Sequence, residues 1–382
     1  MEIVGERFEG GVVSVPKGNK GNKGKEGKGN KGNRGNKGNR GNEGKGMLRL
    51  IEGGHPKPNE GSIEAGEAIA NLLKDVNEDD MVIAVISGGG SALMELPAEG
   101  MTLDDLRELT EHLLKSGAPI REFNCARKHL SRIKGGGLAR MAYPAKVIAL
   151  ILSDVIGDPL EVIASGPTVG DTTTVEEARE ILRKRNAPKK FESLLRETLK
   201  PNDKIFARVE NRLVGTNLLA REAAARAARE LGFEAVVSEL VIEGEAREVA
   251  RKVVGWLGGW VVNEKPHAFI FGGEATVTVR GNGIGGRNQE FVLSAAIEMK
   301  GWEGRKVLVA SLGTDGVDGM TAAAGAFATS ETHAIAVQKK LDPATLLENN
   351  DSHTFFKALD QLIETGMTGT NVNDVVVALL YD

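Results

Sequence analysis

The stretch 280–290, RGNGIGGRNQE, puts an arginine, an amide and a carboxylate behind a glycine-rich backbone. Gly281, Gly283 and Gly286 stand at G-x-G-x-x-G spacing, and Arg287, Asn288 and Glu290 follow. Two chemistries fit. The glycines match a dinucleotide-binding turn, which would make the protein an NAD(P)H-dependent reductase. Alternatively, the loop mounts Arg287 for bidentate contact with a phosphate, with Asn288 and Glu290 beside it as binding residues. The flanking sequence favours the mount. The segment TVTVR alternates Thr and Val like a half-exposed strand, whereas the first strand of a dinucleotide fold is apolar throughout. A ribose-binding acid is due about 20 residues on, but the next strand-end acid is Asp315.

Ser87, Gly88, Gly89, Gly90 and Ser91 follow the apolar run MVIAVI. Residues without Cβ let backbone N–H groups approach a ligand, so this loop suits phosphate, nucleotide or carboxylate binding. No G-K-[ST] follows, which excludes a P-loop, and a tight turn without ligand is the alternative. Acids stand just after two other apolar runs: Asp154 and Asp158 in ALILSDVIGDP, Asp315 and Asp318 in VASLGTDGVDG. Carboxylates at a sheet edge hold Mg²⁺, with Asp154 and Asp315 as candidate ligands, or accept a substrate proton, a catalytic role for Asp315. They equally cap helices and turns. The run NCARKHLSRIKGGGLA supplies Arg127, Lys128, His129, Arg132 and Lys134. Arg127 and Lys134 share a helix face if the helix extends that far, and either could hold a substrate carboxylate. His129 reads as structural, since no second His or Cys stands at ligand spacing.

These residues need elements to place them. MVIAVI (81–86), KVIALIL (146–152), EAVVSEL, HAFIFGG, KVLVASLG and DVVVALL read as strands, most apolar throughout, as buried parallel strands are. TLDDLRELTEHLLKSG, with a Thr102 cap and a terminal Gly117, and NLLAREAAARAARELG, ending at Gly232, read as helices, as does EFVLSAAIEM. The alternation predicts an α/β fold of two Rossmann-like domains with largely parallel sheets. The polar stretch ETLKPNDKIFARVENR places a boundary near residue 200, giving domains 1–200 and 201–382.

The net charge of −4 is uneven: residues 17–46 hold ten Lys or Arg against two Glu. Without apolar residues this tract has no means of burying a core and reads as a disordered surface insertion. Its lack of aromatic residues for base stacking disfavours a nucleic-acid partner. One cysteine, Cys125, forms no internal disulfide and favours a reducing compartment. No apolar run is long enough to span a bilayer and no signal peptide is visible, so a soluble cytoplasmic protein without a membrane partner is expected. Self-association into a homo-oligomer is compatible with this composition. Scarce glutamine with abundant Lys, Arg and Glu matches proteins from hot environments.

The segments IEGGHPKPNEGS, VISGGGSALMELPAEGMTL, NCARKHLSRIKGGGLA, LILSDVIGDPLEVIASGPTVGDTTT, FIFGGEATVTVRGNGIGGRNQEFVLSAA, GTDGVDGMTAAAGAF and TGTNVNDVVVALL together resemble the glycerate 2-kinase family, in family order. The C-terminal part, about 266–380, resembles its MOFRL domain. The resemblance implies ATP-dependent phosphorylation of D-glycerate at its 2-hydroxyl with Mg²⁺, in a cleft between two α/β domains. It implies an active-site role for Arg287, places Ser87–Ser91 in a ligand-binding region, and sets Asp315 in another characteristic motif. Members are often labelled hydroxypyruvate reductase. The sequence departs from the pattern at its start: nothing matches the family's G-A-G-K-A strand and lysine, whose loss would leave a sheet unpaired and an apolar surface uncovered. A catalytically impaired truncated homologue is the corresponding alternative.

Overall fold

A computed structural model describes residues 9–16, 48–260 and 265–381. The basic tract 17–46, with its expected disorder, lies outside them. The chain forms two compact units, Met1–Ile151 with Pro159–Arg212, and Leu152–Asp158 with Leu213–Asp382. The short segment after the second long apolar run thus belongs to the second unit.

The elements of the first unit are β1 (Gly11–Pro16), β2 (Leu48–Gly53), α1 (Glu60–Leu72), β3 (Met81–Ile86), α2 (Gly90–Leu93), α3 (Leu103–Lys115), α4 (Ile120–His129), α5 (Gly137–Ala142), β4 (Lys146–Leu152), α6 (Val175–Lys184), α7 (Lys190–Leu194) and β5 (Val209–Gly215), the last residues of β4 and of β5 being counted with the second unit. β1 pairs parallel with β2, and β3 parallel with β4 in a sheet ordered β3-β4-β5. The caps explain the helices. Thr102 accepts from the Asp105 N–H while Asp105 reaches back to the Thr102 N–H, a reciprocal box that starts α3. Gly117, at φ 64°, turns the chain away after it. Leu106, Leu109 and Leu113 of α3 then pack against Phe123, Leu130, Leu182 and Phe191.

β3 differs from its expected burial. Val82 and Ala84 face a core with Val147 and Ile133, but Met81, Ile83 and Val85 on the other face are 58, 52 and 79% exposed. Uniform apolarity reads as two-sided burial, yet among the described residues only one face of this edge strand is covered.

The second unit contains α8 (Asn217–Glu230), β6 (Glu234–Glu245), α9 (Ala246–Gly258), β7 (His267–Thr276), α10 (Arg287–Glu298), β8 (Lys306–Gly313), β9 (Gly325–Thr329), α11 (Thr332–Gln338), α12 (Pro343–Glu348), α13 (Ser352–Leu359), β10 (Leu362–Ile363) and β11 (Asp374–Tyr381). Its sheet runs β10-β9-β8-β11-β7-β6. β6 and β7 are parallel, whereas β11 lies between β7 and β8 antiparallel to both. The fold is α/β, with parallel pairing in the first unit and a mixed sheet in the second. β9, rich in small residues, and β10, two residues long, carry no sequence signal of their own. α10 is buried from Asn288 to Ala296 and packs Phe291 and Val292 with Phe269, Val309, Phe355 and Val376. Burial on all sides fits the weak periodicity of EFVLSAAIEM.

Candidate active site

The glycine loop is a packing device. The chain leaves β7 at Thr276, so TVTVR is not a strand beyond its first residue. Instead its amides are taken by the turn after α12. Asn350 Oδ1 accepts from the Arg280 and Gly281 N–H groups at 2.7 and 3.0 Å, Asn349 from Asn282 and Gly283, and Asp351 from Ile284. A Cβ at Gly281 would lie 2.4 Å from the Asn349 carbonyl oxygen, and one at Gly283 2.3 Å from Asp351 Cβ. The glycines allow two backbone segments to touch. Amides already bonded in this way leave no cradle for a pyrophosphate, which removes the dinucleotide reading of this loop.

Gly286 ends the loop and begins α10 without a side-chain cap. A carboxylate from elsewhere does the capping: Asp318 accepts from the backbone N–H of Asn288 at 3.0 Å and of Gln289 at 2.9 Å, and from both side-chain amides. A Cβ on Gly286 would sit 2.3 Å from Asp318, so glycine is required for this approach. An anion at a helix N-terminus is also favoured by the helix dipole.

Arg287, the first residue of α10, is held in a fork. Its Nε and Nη2 donate to Asp374 at 2.6 and 3.0 Å, and its Nη1 lies 2.8 Å from Glu274. Asn288 Nδ2 donates to both Asp374 and Asp318, and its Oδ1 accepts from the Ser311 hydroxyl. Burial disfavours the charge of Arg287, but Asp374, Glu274 and Asp318 outweigh it and raise its pKa. Burial likewise pushes the Asp374 carboxyl up, and the guanidinium pulls it back. The two-point geometry identifies a charged pair at neutral pH. The Arg287 side chain remains 34% exposed, whereas its partner Asp374 is 2% exposed.

Asp374 lacks the signal of an acid just after a strand, because it begins one. β11 runs antiparallel, so its first residue falls at the edge where β7 and β8 end, opposite Gly273 and Gly313. The signal was the N-D pair ahead of VVVALL. Asn217 fixes this corner by donating to the Val372 and Asp374 carbonyls, both at 2.9 Å. Asp315 joins it: its Oδ1 and that of Asp374 lie 2.9 and 3.6 Å from where a Gly313 Cβ would stand. Asp315 Oδ1 also accepts from the Val317 N–H, and its other carboxylate oxygen makes no hydrogen bond among the described residues.

Two neighbours of Arg287 have a supporting position instead of the expected ligand contact. Asn288 is buried beneath the fork. Glu290 is buried on the far side of α10, where Arg247 donates to it at 2.9 and 3.1 Å and Asn350 at 2.8 Å. Glu290 therefore anchors the turn that holds the glycine loop. Asp154 is half-buried after β4. Among the described residues no three His, Cys, Asp or Glu side chains are grouped to hold a metal.

In the first unit, the amides of Gly88, Gly89 and Ser91 make no hydrogen bond among the described residues, and Ser87 is exposed. Gly89 has φ 79°, and Gly90 comes close enough to Ala164 that a Cβ would lie 2.8 Å away. Ser91 Oγ bonds Ser165 Oγ at 2.8 Å. Lys134 is corrected: α4 ends at His129, so Lys134 lies beyond the helix of Arg127, wholly buried with its ammonium 2.5 Å from Glu95. Burial lowers its pKa against the pull of Glu95. Spent in this way, it has no charge to offer a substrate. Lys128 is likewise paired with buried Asp171, and His129 donates or accepts only within the fold, at Cys125 O and Glu197. Arg127 alone stays uncommitted, over the Phe123 ring at 4.5 Å and without an ion pair among the described residues. Burial lowers its pKa, and nearby Glu95 opposes the shift.

Comparison with known proteins places these features in a family. Residues 2–200 match the family described as a domain of unknown function, DUF4147, and residues 267–374 match the MOFRL family. The D-glycerate 2-kinase of Thermotoga maritima is 44% identical over 337 residues, 87% of this chain and 80% of that protein. The glycerate 2-kinase of Pyrococcus horikoshii is 41% identical, covering 87% of this chain and 78% of its own. The crystal structure of Thermotoga maritima glycerate kinase superposes with a TM-score of 0.86 at 39% identity, over all of this chain and 87% of that one. By sequence and by fold, this chain belongs to the glycerate kinase family.

Proposed function

We propose that this protein transfers the γ-phosphoryl group of ATP to the 2-hydroxyl of D-glycerate, forming 2-phosphoglycerate and ADP. The observation that carries the reading is the fixed guanidinium of Arg287, locked by Asp374 and Glu274 yet open on one side, with a free carboxylate oxygen of Asp315 at the same sheet edge. Phosphoryl transfer asks a protein chiefly for positioning and charge neutralisation. Arg287 neutralises the oxygens of the moving group without reorganising, because its fork is already satisfied on the protein side. Asp315 orients the 2-hydroxyl and accepts its proton as the oxygen attacks phosphorus. The names of the relatives support the same substrate and nucleotide chemistry.

The donor set also fits Mg²⁺. A cation bound together with phosphates needs only one or two protein carboxylates: Asp154 is one candidate, and Asp315 is the other, its free oxygen then binding the metal in place of the proton. When bound, Mg²⁺ supplies charge neutralisation at the phosphate oxygens. In the first unit, Arg127 and the Ser87–Ser91 loop, in which the amides of Gly88, Gly89 and Ser91 make no hydrogen bond among the described residues, are candidates for binding an anion.

The test is incubation of the purified protein with MgATP and D-glycerate, with phosphorus NMR of the product. ADP and 2-phosphoglycerate in equal amounts are expected. Absence of a phosphorylated acid, with NADH oxidised in the presence of hydroxypyruvate, would overturn the reading.

A further inference from the structure

The first unit holds a cavity of about 170 Å³ that the kinase reading leaves unused, with Leu96, Arg132, Arg140, Met141, Arg196 and Thr198 in its wall. Three arginines line it, and none is neutralised by a close carboxylate. Arg132 donates to the Pro97 carbonyl and stands 3.8 Å from Glu99, a weak exposed contact. The Arg140 side chain is exposed and makes no hydrogen bond or ion pair among the described residues. The Arg196 side chain likewise makes no hydrogen bond or ion pair among the described residues, although its Nε is itself buried.

The other charges at the wall do not balance these three. Lys134 is cancelled by Glu95 at 2.5 Å. Glu197 is engaged by Lys200 at 2.6 Å and faces His129 at 3.3 Å. The Thr198 hydroxyl donates to Asp171. What remains is a small positive hollow whose available donors are guanidinium forks, the group best matched to tetrahedral and planar oxyanions.

We propose that this cavity is a binding site for a small phosphate-bearing anion, held by Arg140 and Arg196 with Arg132 beside them. Every residue of its wall belongs to the first unit, whereas Arg287 belongs to the second. Its test is thermal denaturation of the full chain with increasing inorganic phosphate, ionic strength being held constant with sodium chloride. A ligand that binds only the folded state raises Tm along a saturable curve. The wild type should show that curve, and so should Arg287→Ala. Arg140→Gln and Arg196→Gln should each weaken the apparent phosphate affinity at least tenfold. Arg140, exposed and unpaired, is replaced without disturbing the fold, so its variant keeps the test decisive if Arg196→Gln folds poorly. The proposal is overturned if the wild type gains no stability from phosphate, if Arg140→Gln keeps the wild-type curve, or if Arg287→Ala alone abolishes it. Equal stabilisation by sodium acetate would assign the site to carboxylates and refute the phosphate assignment.

Discussion

At the scale of single residues, the site depends on whether each charge is already spent. Arg287 and Lys134 are both basic residues beside glycines, yet one faces outward from a fork and the other is consumed by Glu95, 39 positions away in the chain. Residue type and spacing single out Arg287 and Asp315 as candidates, because glycines and strand ends are local signals. They do not reveal long-range partners, so the sequence leaves Asp374 unmarked and shows Asn288, Glu290 and Lys134 as available although each is engaged within the fold. Asp374→Asn tests the fork. Removing one partner of a largely buried ion pair costs about 3 kcal/mol, and the freed guanidinium no longer presents one fixed orientation. Urea denaturation should show that loss together with a fall in D-glycerate phosphorylation. An unchanged midpoint would mean that Glu274 alone fixes Arg287.

At the scale of elements, strands and helices were legible wherever apolar runs were bounded by caps or glycines. β3, β4 and β8 occupy the positions of MVIAVI, KVIALIL and KVLVASLG, and α3 follows its Thr102 cap. Strand direction and sidedness were not legible, because both are decided by partners. β11 runs against its neighbours, and β3 is covered on one face although every residue in it is apolar. That asymmetry has a measurable consequence. Val85 is 79% exposed, so Val85→Thr should change unfolding free energy by no more than about 0.5 kcal/mol and lessen any self-association through the apolar row. Val147, 1% exposed on the neighbouring strand, should lose about 2 kcal/mol or more as Ala. Chemical denaturation of the two variants checks the contrast, and equal costs would mean that the exposed face is covered in solution.

At the scale of the whole molecule, the family was legible because several long motifs recur in order. The division of the chain was less so, since the segment Leu152–Asp158 belongs to the second unit although the chain around it belongs to the first. The first unit also carries a pH dependence. Lys190 and Thr102 hold the Asp105 carboxyl down to about 2, and Arg185 and Lys184 do the same for Glu122. A depressed folded-state pKa gives stability that is complete above the ordinary carboxyl range and lost as pH falls toward 2. Circular dichroism on acidification should therefore show stability falling between about pH 4.5 and 2. The double variant Asp105→Asn, Glu122→Gln should be less stable at neutral pH and converge with the wild type near pH 2. Parallel curves would show that these pairs contribute nothing.

The central claim is that Arg287, fixed by Asp374 at the head of α10, stabilises the phosphoryl group passing to D-glycerate. Its most direct test is the rate of D-glycerate-dependent ADP formation by Arg287→Ala, in protein shown to be folded by its thermal transition. Loss of a preorganised charge aimed at the transition state should lower kcat about 10²- to 10³-fold. A variant that is folded and phosphorylates D-glycerate at the wild-type rate would contradict the account.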